Sequence, residues 1–445
     1  MATVVLSAAC EERPALQDLS GVLASELQRV GETDVRTFEL ASTPLAYCQG
    51  EFDCWVKTPG ACRAHDAEAA ILGAIHDADR VVMLDAVTFG GHSYTMKRAQ
   101  DRLICLISPF FEKRASLTHH EARYARMPSL FKLGWMPHLD VEMARTWSEL
   151  ADANAINMLA PHVGTLAVDD AGRPRWADDV RTLLASTAVP GADIAARAPL
   201  REGLMAAAGA PGRVRPIRPR TAALVVGSAK AKGTSVSENL ARALSARLEA
   251  EGVTTAIHAA TDFLREERAR SAAHAVAAAD LFVLVTPLYV DAFPALATHA
   301  LEYIASARSG SPVPAQFAAI VNCGFPEPEH IRTALGIARH FAAAADYDWA
   351  GGLPLGGGGA VNPVTPLDAQ RGPTKHVTSA LDLAAPCLAR GDAIATDAIE
   401  QMAASPMPDA VYRFMGDLGW RYQVYKNGLA QAALRARPLD CGDRR

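Results

Sequence analysis

The sequence predicts an α/β protein with two tandem doubly wound parallel sheets and a helical C-terminal extension. Strand-length apolar runs alternate with segments of helical periodicity, and the alternation passes through the chain twice in the same order. Between the passes the composition shifts to Pro, Gly, Ala and Arg, ending in Ala210-Pro-Gly-Arg-Val-Arg-Pro-Ile-Arg-Pro-Arg220. These observations divide the chain into a first domain over 1–189, a linker over 190–220, a second domain over 221–365, and helices over 366–445 that pack on the second domain.

In the first pass, Ala2–Leu6 reads as a strand, Leu16–Val30 as a helix and Asp34–Leu40 as a second strand. A helix follows near Asp66–Ala78, then the buried strand Arg80–Leu84, a Gly-rich loop Thr88–Lys97, and Leu103–Ile107 as the next strand of a crossover unit. Pro109–Pro161 is less regular until a helix around Val141–Leu159, and Val163–Val168 closes the sheet. The second pass has strands at Ala222–Val226, Thr254–His258, Asp280–Val285 and Ala318–Asn322. Its helices fall at Val236–Glu251, Arg265–Ala278, Ala295–Ala305 and Ile331–Ala345. Beyond the Gly-rich Gly351–Gly359 the chain reads as helical, for example at Ala395–Ala404 and Trp420–Leu434.

A net charge of −5 gives no basic field for nucleic acid or an anionic membrane, so small molecules or proteins are the expected partners. The longest apolar runs are strand-sized, well short of the ~20 residues of a membrane span. No secretory signal is visible at the N-terminus, and the eight cysteines of so long a chain read as reduced cytoplasmic thiols. Abundant Ala and Arg with little Lys suggest a GC-rich bacterial genome.

The chemistry centres on Leu224-Val-Val-Gly-Ser-Ala-Lys-Ala-Lys-Gly-Thr-Ser235, a strand running into a loop of small and hydroxyl residues that opens a helix. Backbone N–H groups at a helix N-terminus form an anion site. The loop has neither the P-loop nor the Gly-x-Gly-x-x-Gly spacing, and its hydroxyls suit a terminal monophosphate such as that of FMN. The bland reading is a turn capped by Ser235.

Gly-Ser-x-Lys-x-x-Gly-Thr-Ser at the first turn is followed in order by Thr286-Pro-Leu-Tyr-Val-Asp-x-x-Pro294, Cys323-Gly-Phe-Pro-Glu327 and Trp349-Ala-Gly-Gly352. This order resembles the flavodoxin-like NAD(P)H-dependent FMN and quinone reductases. The resemblance implies that Ser228, Lys230, Gly233, Thr234 and Ser235 hold the FMN phosphate. It further implies that Pro287, Leu288, Tyr289 and Val290 contact the isoalloxazine, with Asn322, Cys323 and Gly324 on another side. Tyr289 and Asp291 are the polar candidates for orienting substrate or giving a proton.

The first half carries Cys48-Gln-Gly-Glu-Phe-Asp-Cys54-Trp-Val-Lys-Thr-Pro-Gly-Ala-Cys62, and later Phe89-Gly-Gly-His92 with Lys97 and Asp101-Arg102. It is similar to the iron–sulfur flavoproteins and their relatives. Glu51 stands where a cluster-binding cysteine is expected, so Cys48, Cys54 and Cys62 are weak metal candidates, and an iron–sulfur cluster is not expected. The loop Ser7–Leu16 has no glycine and carries Glu11 and Glu12, a poor place for a phosphate. The expectation is therefore one FMN per chain, in the second domain. The first domain is a flavin-free partner whose Phe89, Gly90, His92 and Trp55 cover the substrate.

Among the other residues, Lys97 and Asp101 are spaced for an ion pair on a helix surface. His119 and His120 point to opposite faces, with a hydrogen-bonding role in a loop. The leading reading is an FMN-dependent oxidoreductase passing hydride from NAD(P)H to a quinone, a nitro or azo aromatic, or free flavin. It acts in the cytoplasm, with further homodimerisation allowed. The competing readings are an electron carrier without NAD(P)H oxidation and a specialised-metabolism flavoenzyme of unknown substrate.

Overall fold

The computed structural model describes residues 1–191, 200–210, 218–310, 313–405 and 407–440. The described residues form two compact units, one drawn from 1–196 and 413–445, the other from 197–412.

The first unit opens with β1 (Ala2–Ser7), α1 (Pro14–Arg29), β2 (Asp34–Glu39), the short α2 (Asp53–Val56), α3 (Glu68–Asp77), β3 (Arg80–Ala86) and α4 (Tyr94–Gln100). An antiparallel hairpin of β4 (Ile107–Arg114) and β5 (Leu117–Ala122) comes next. The unit continues with β6 (Ser129–Trp135), α5 (Val141–Asn157), β7 (Val163–Val168) and α6 (Trp176–Leu184). The sheet is parallel throughout, in the order β2-β1-β3-β6-β7.

Because successive strand side chains point to opposite faces, each strand feeds two cores. Val4, Leu6, Val81, Met83 and Leu130 face α3. Val5, Val82, Leu84, Phe131 and Leu133 face the leucines of α1 and Trp176, Val180 and Leu183 of α6. Such two-sided burial makes the strands continuous apolar runs.

The second unit opens with α7 (Leu200–Ala208), β8 (Thr221–Val226), α8 (Val236–Ala250), β9 (Thr254–Ala259), α9 (Glu266–Ala277), β10 (Leu281–Pro287) and α10 (Ala295–Arg308). It continues with β11 (Gln316–Asn322), α11 (Arg332–Ala344), β12 (Asp348–Leu355), α12 (Lys375–Arg390) and α13 (Thr396–Met402). Its parallel sheet runs β9-β8-β10-β11-β12. Numbered within its own unit, each sheet has the order 2-1-3-4-5 of the flavodoxin-like doubly wound fold. The expected fold class is thus borne out, twice over.

Several boundaries differ from expectation. Leu103–Leu106 is a 3-10 turn rather than a strand, and the next strand of the first sheet is β6. The charge of Lys132 interrupts the apolar pattern of β6 and disguises it. The start of the glycine-rich stretch Gly351–Gly359, with Trp349-Ala-Gly-Gly352, proves to be part of strand β12. Gly351 takes φ +122°, and a side chain at Gly352 would meet Leu335 at 2.5 Å, so the glycines let α11 lie close on the strand.

The linker expected at 190–220 contains α7, which belongs to the second unit. Gly203 lies against Arg332, and the Trp349 Nε1–H donates to the Gly209 carbonyl at 3.0 Å. The stretches 192–199 and 211–217, and with them most of the arginine-rich tail, lie outside the described residues.

The helices expected over 366–445 do not all pack on the second domain. α12 packs along α8 and α13, but from Arg413 on the described chain belongs to the first unit. That return is made by the later part of α14 (Asp409–Lys426) and the turn Gln431–Arg435. Val424 and Leu434 are buried with Trp55, Val56 and Phe110, so apolar complementarity draws the tail back.

Candidate functional site

The candidate flavin residues lie on three loops that leave the C-terminal ends of β8, β10 and β11. The parallel register aligns these ends, with Val226 opposite Val285 and Pro287 opposite Asn322. Ligands of open α/β sheets bind at this edge.

The loop 227–235 starts at a glycine because nothing larger fits. A Cβ on Gly227 would sit 2.4 Å from Thr286 Oγ1. Ser228 Oγ accepts from the Lys230 N–H at 3.3 Å, and Thr234 Oγ1 donates to the Ala231 carbonyl at 2.6 Å. Gly233 takes φ +80°, the left-handed region open to glycine. Ser235 is the N-cap of α8, and its Oγ accepts from the Glu238 N–H at 3.3 Å. The bland reading of Ser235 is therefore realised.

Sequence reasoning missed Glu238. Its carboxylate accepts from the Gly233 N–H and pairs with Arg242. An intramolecular carboxylate thus occupies the loop amide expected to hold phosphate, so this amide does accept a negative charge as a partner. The signal was present as Ser235-x-x-Glu238, a capping-box spacing. Glu238→Gln should keep the helix cap while removing the competing charge. FMN affinity is expected to rise about three- to tenfold, in line with ~1 kcal/mol for a charge at a helix N-terminus. Titration of the deflavinated protein with FMN measures this.

The second loop makes a tight turn. Leu288 N–H donates to the Asn322 carbonyl at 2.8 Å, and Tyr289 and Ala292 exchange backbone hydrogen bonds of 2.9 and 3.2 Å. The central residues Val290 and Asp291 have φ +50° and +60°, a type I′ pattern that β-branched valine rarely adopts. Such strain concentrates at functional sites. Asp291 is buried, with its Oδ1 3.8 Å from His330 Nδ1.

In the third loop, Ser237 Oγ donates to Asn322 Oδ1 at 2.8 Å, tying α8 to the end of β11. Cys323 is buried, its thiol 3.2 Å from the Phe325 carbonyl, and burial together with nearby Glu327 pushes its pKa well above the ordinary thiol range. It is held as a neutral thiol. A side chain built on Gly324 meets nothing within 4 Å, so the loop leaves open space there.

The first unit repeats these contacts. The Ala8 N–H reaches the Leu84 carbonyl at 2.9 Å as that of Gly227 reaches Val285 at 2.8 Å, and the Val87 N–H reaches Trp135 at 2.8 Å as that of Leu288 reaches Asn322. Thr88 and Gly91 exchange hydrogen bonds around Phe89 and Gly90, with φ +53° and +79°. The backbone equivalence puts Ala8 at the Gly227 position and Trp135 at that of Asn322. Only six residues, 8–13, separate β1 from α1, against nine, 227–235, between β8 and α8. α1 begins at Pro14 with no side-chain cap, and Glu11 and Glu12 are exposed beside it.

Two of the four cover residues are not available as a cover. Trp55 is fully buried, donates Nε1–H to the Ile107 carbonyl at 3.2 Å and packs on Phe52, His120 and Trp420. The His92 side chain is wholly inside the first unit. Its Nδ1 lies 2.9 Å from Asp85 Oδ2 and its Nε2 lies 2.7 Å from Lys132 Nζ. The fitting tautomer donates from Nδ1 to the carboxylate and accepts the lysine proton at Nε2. Lys132 also donates to Asn154 Oδ1, which accepts from Gln100 Nε2 at 2.6 Å. Phe89 is half-buried and Gly90 lies in the turn.

Lys97 and Asp101 do pair, at 2.6 Å, but in the interior rather than on the surface, each side chain 1% exposed. His119 and His120 lie on a strand, not in a loop. They make hydrogen bonds to Asn157 Oδ1 at 2.7 Å and to the Pro109 carbonyl at 3.2 Å.

The weak metal candidates gather with a residue that spacing could not reveal. Cys54 and Cys62 pack against the core cluster that contains Cys105, whose thiol lies 3.3 Å from Glu68 Oε1. Cys105 is also hydrogen-bonded to Cys54, which together with burial holds it well above the ordinary thiol pKa, and burial likewise raises the thiol pKa of Cys48 and Cys62. Among the described residues, no group of three or more His, Cys, Asp or Glu is placed to hold a metal ion. Among the same residues, no helix is long and apolar enough to cross a membrane.

Residues 220–333 match the family described as NADPH-dependent FMN reductase, a stretch that contains all three loops. Comparison with curated proteins finds no match. Among solved structures, the chain is similar to an NAD(P)H:quinone oxidoreductase from Methanothermobacter marburgensis, with 12% identity, 45% of this chain and 99% of that chain covered, and a TM-score of 0.33. It is also similar to an azoreductase from Bacillus anthracis str. Sterne, with 16% identity, coverage of 38% and 98%, and a TM-score of 0.26. A third is a rubredoxin oxygen:oxidoreductase from Desulfovibrio gigas, with 9% identity, coverage of 58% and 50%, and a TM-score of 0.27. The fold assignment rests on strand order and register, not on these likenesses.

Proposed function

We propose that the second unit binds FMN and that the protein is an NAD(P)H-dependent flavin oxidoreductase delivering electrons to a small acceptor such as a quinone, a nitro or azo aromatic, or free flavin. The observation that carries this reading is the convergence of the loops after β8, β10 and β11 at one sheet edge, inside the stretch that matches the FMN reductase family. Bound FMN supplies the hydride chemistry.

The chain supplies binding and shape. Ser228, Thr234, Ser235, the Gly233 amide and Lys230 hold the phosphate, with Glu238 turning to its existing partner Arg242. Pro287, Leu288, Tyr289 and Val290 form one wall and Asn322, Cys323 and Gly324 another. The type I′ turn fixes where Tyr289 and Asp291 stand to orient a substrate or give a proton. Cys323, neutral and buried, shapes the wall without adding charge or a nucleophile. The first unit, with its short acidic turn, is assigned no flavin and no cluster.

A visible spectrum of the purified protein shows whether flavin is present, and anaerobic mixing with NADPH or NADH shows whether it is reduced directly. Direct bleaching of the flavin band is the expected result. Flavin bleached only through a separate reductase makes the protein an electron carrier, and failure to bind FMN overturns the assignment.

A further inference from the structure

The chain leaves β12 through Gly356-Gly-Gly-Gly-Ala360, at the same sheet edge as the three candidate flavin loops. Gly356, Gly357 and Gly358 are buried, and Gly359 is exposed. The buried three lie directly on the loop after β11. The Gly357 N–H donates to the Phe325 carbonyl at 2.6 Å and the Gly358 N–H to the Cys323 carbonyl at 2.8 Å. A Cβ on Gly356 would stand 2.4 Å from the Pro326 carbonyl oxygen, and one on Gly358 would stand 3.1 Å from the Cys323 oxygen and 3.3 Å from Asn322 Nδ2. Of the three, only Gly357 takes a positive φ, +63°. Close approach, not backbone conformation, is what calls for glycine at 356 and 358.

The first unit shows that the fold itself makes no such demand. Its Met136 N–H reaches the Val168 carbonyl at 3.0 Å as the Cys323 N–H reaches that of Leu355 at 2.9 Å, which puts Asp169 and Asp170 at the positions of Gly356 and Gly357. Side chains bridge the two loops there. Asp169 Oδ2 accepts from the Leu139 N–H at 3.2 Å, and Asp170 Oδ1 accepts from the indole N–H of Trp135, the counterpart of Asn322, at 3.2 Å. The unit assigned no flavin thus fills this junction with an indole and two carboxylates, whereas the unit assigned FMN reduces it to backbone.

The consequence falls on Asn322. Its Oδ1 accepts the Ser237 hydroxyl at 2.8 Å, which makes Nδ2 the donor end of the amide, and that end lies beside Gly358. We propose that Ser237, Gly356 and Gly358 are positioning residues for the flavin ring, acting through Asn322 and Cys323 rather than on the flavin itself. A binding wall keeps its shape when the groups behind it are locked in this way. The inference rests on the assignment of FMN to the second unit.

Titration of the deflavinated full chain with FMN and with riboflavin, which lacks the phosphate, tests it. Gly358→Ala keeps an allowed backbone but crowds Asn322 and Cys323. It should weaken both flavins by the same factor, about tenfold, and shift the visible band of bound FMN, with the melting temperature of the flavin-free protein unchanged. Ser237→Ala, which releases Asn322 Oδ1, should also weaken both flavins equally. Gly359→Ala, whose Cβ meets nothing within 4 Å, should match the parent, and Thr234→Glu in the phosphate loop should weaken FMN alone. The proposal is overturned if Gly358→Ala and Ser237→Ala bind both flavins like the parent with an unshifted band, or lose FMN while keeping riboflavin. It is equally overturned if Gly358→Ala loses affinity only in step with a lower melting temperature. A parent that binds neither flavin overturns the FMN assignment, and the proposal with it.

Discussion

Lys132→Met lowers the stability of the first unit by about 3–5 kcal/mol at pH 8, the cost of breaking a buried, hydrogen-bonded charge pair by removing one partner. Lys132 has no exposed surface, and the His92 ring bridges its ammonium to the Asp85 carboxylate. Asp85 is also held by the Ser93 N–H at 2.9 Å and the Ser93 hydroxyl at 2.6 Å, so the carboxylate stays in place when the lysine goes. Methionine fills much the same volume, which isolates the loss of charge from the loss of packing.

The same network fixes the sign of the pH dependence. Burial first, and then Lys132 and Lys97, hold His92 well below its ordinary pKa. In the unfolded chain the ring takes a proton near pH 6.5, whereas in the folded protein it does not. Its contribution is therefore intact above about pH 6.5 and is lost as the pH falls below that, by at most about 1.4 kcal/mol per pH unit. In Lys132→Met the larger of the two lysine repulsions is gone while Asp85 remains, so the folded pKa of His92 rises, although burial and Lys97 still hold it down, and imidazolium becomes the available counter-charge. The deficit of the variant should shrink between pH 8 and 5.5. Five of the six tryptophans lie in the first unit, and Trp147 stands 4.8 Å from His92, so urea unfolding followed by tryptophan fluorescence reads this unit. A deficit independent of pH would break the assigned tautomer and charge pairing.

Lys132 also explains where the sequence stops being legible. Strands with uniform apolar runs, such as Arg80–Ala86 and Leu281–Pro287, announce themselves, and their loops with them. β6 does not, because a central lysine signals exposure unless its partners are known, and those partners come from the loop after β3 and from α5. His92 reads as a loop residue for the same reason. Cys105, 43 residues beyond Cys62, joins the cysteine segment only through the fold. The helix expected at Trp420–Leu434 is instead α14 over Asp409–Lys426 with a separate turn at Gln431–Arg435, because the residues that bury Val424 and Leu434, namely Trp55, Val56 and Phe110, are distant in sequence. The candidate loops are legible through Gly227 and through the order of their motifs along the chain, whereas the tight turn at 289–292 is not, since nothing local in Val290-Asp291 calls for positive φ.

The Ser228→Glu/Thr234→Glu double variant should weaken FMN binding by about 100-fold or more, since each added carboxylate near a phosphate costs at least about 1.4 kcal/mol, a factor of ten. The two positions differ in a useful way. Ser228 is 6% exposed, so its replacement also strains the turn, whereas Thr234 is exposed and accommodates the larger side chain. Thr234→Glu alone separates charge from folding. An acidic residue beside the N-terminus of α8 interacts favourably with the helix dipole when no ligand is present, so the flavin-free variant should melt no lower than the parent. Its affinity should nevertheless fall about tenfold and recover in part at high salt, which screens an exposed charge. Thr234→Lys should bind at least as tightly as the parent. These constants come from fluorescence titration of deflavinated protein, with melting curves of the same samples as the folding control. Full retention of FMN by the double variant would remove the phosphate from Gly227–Ser235, whereas equal losses in Thr234→Glu and Thr234→Lys would make the loop a packing element rather than an anion site.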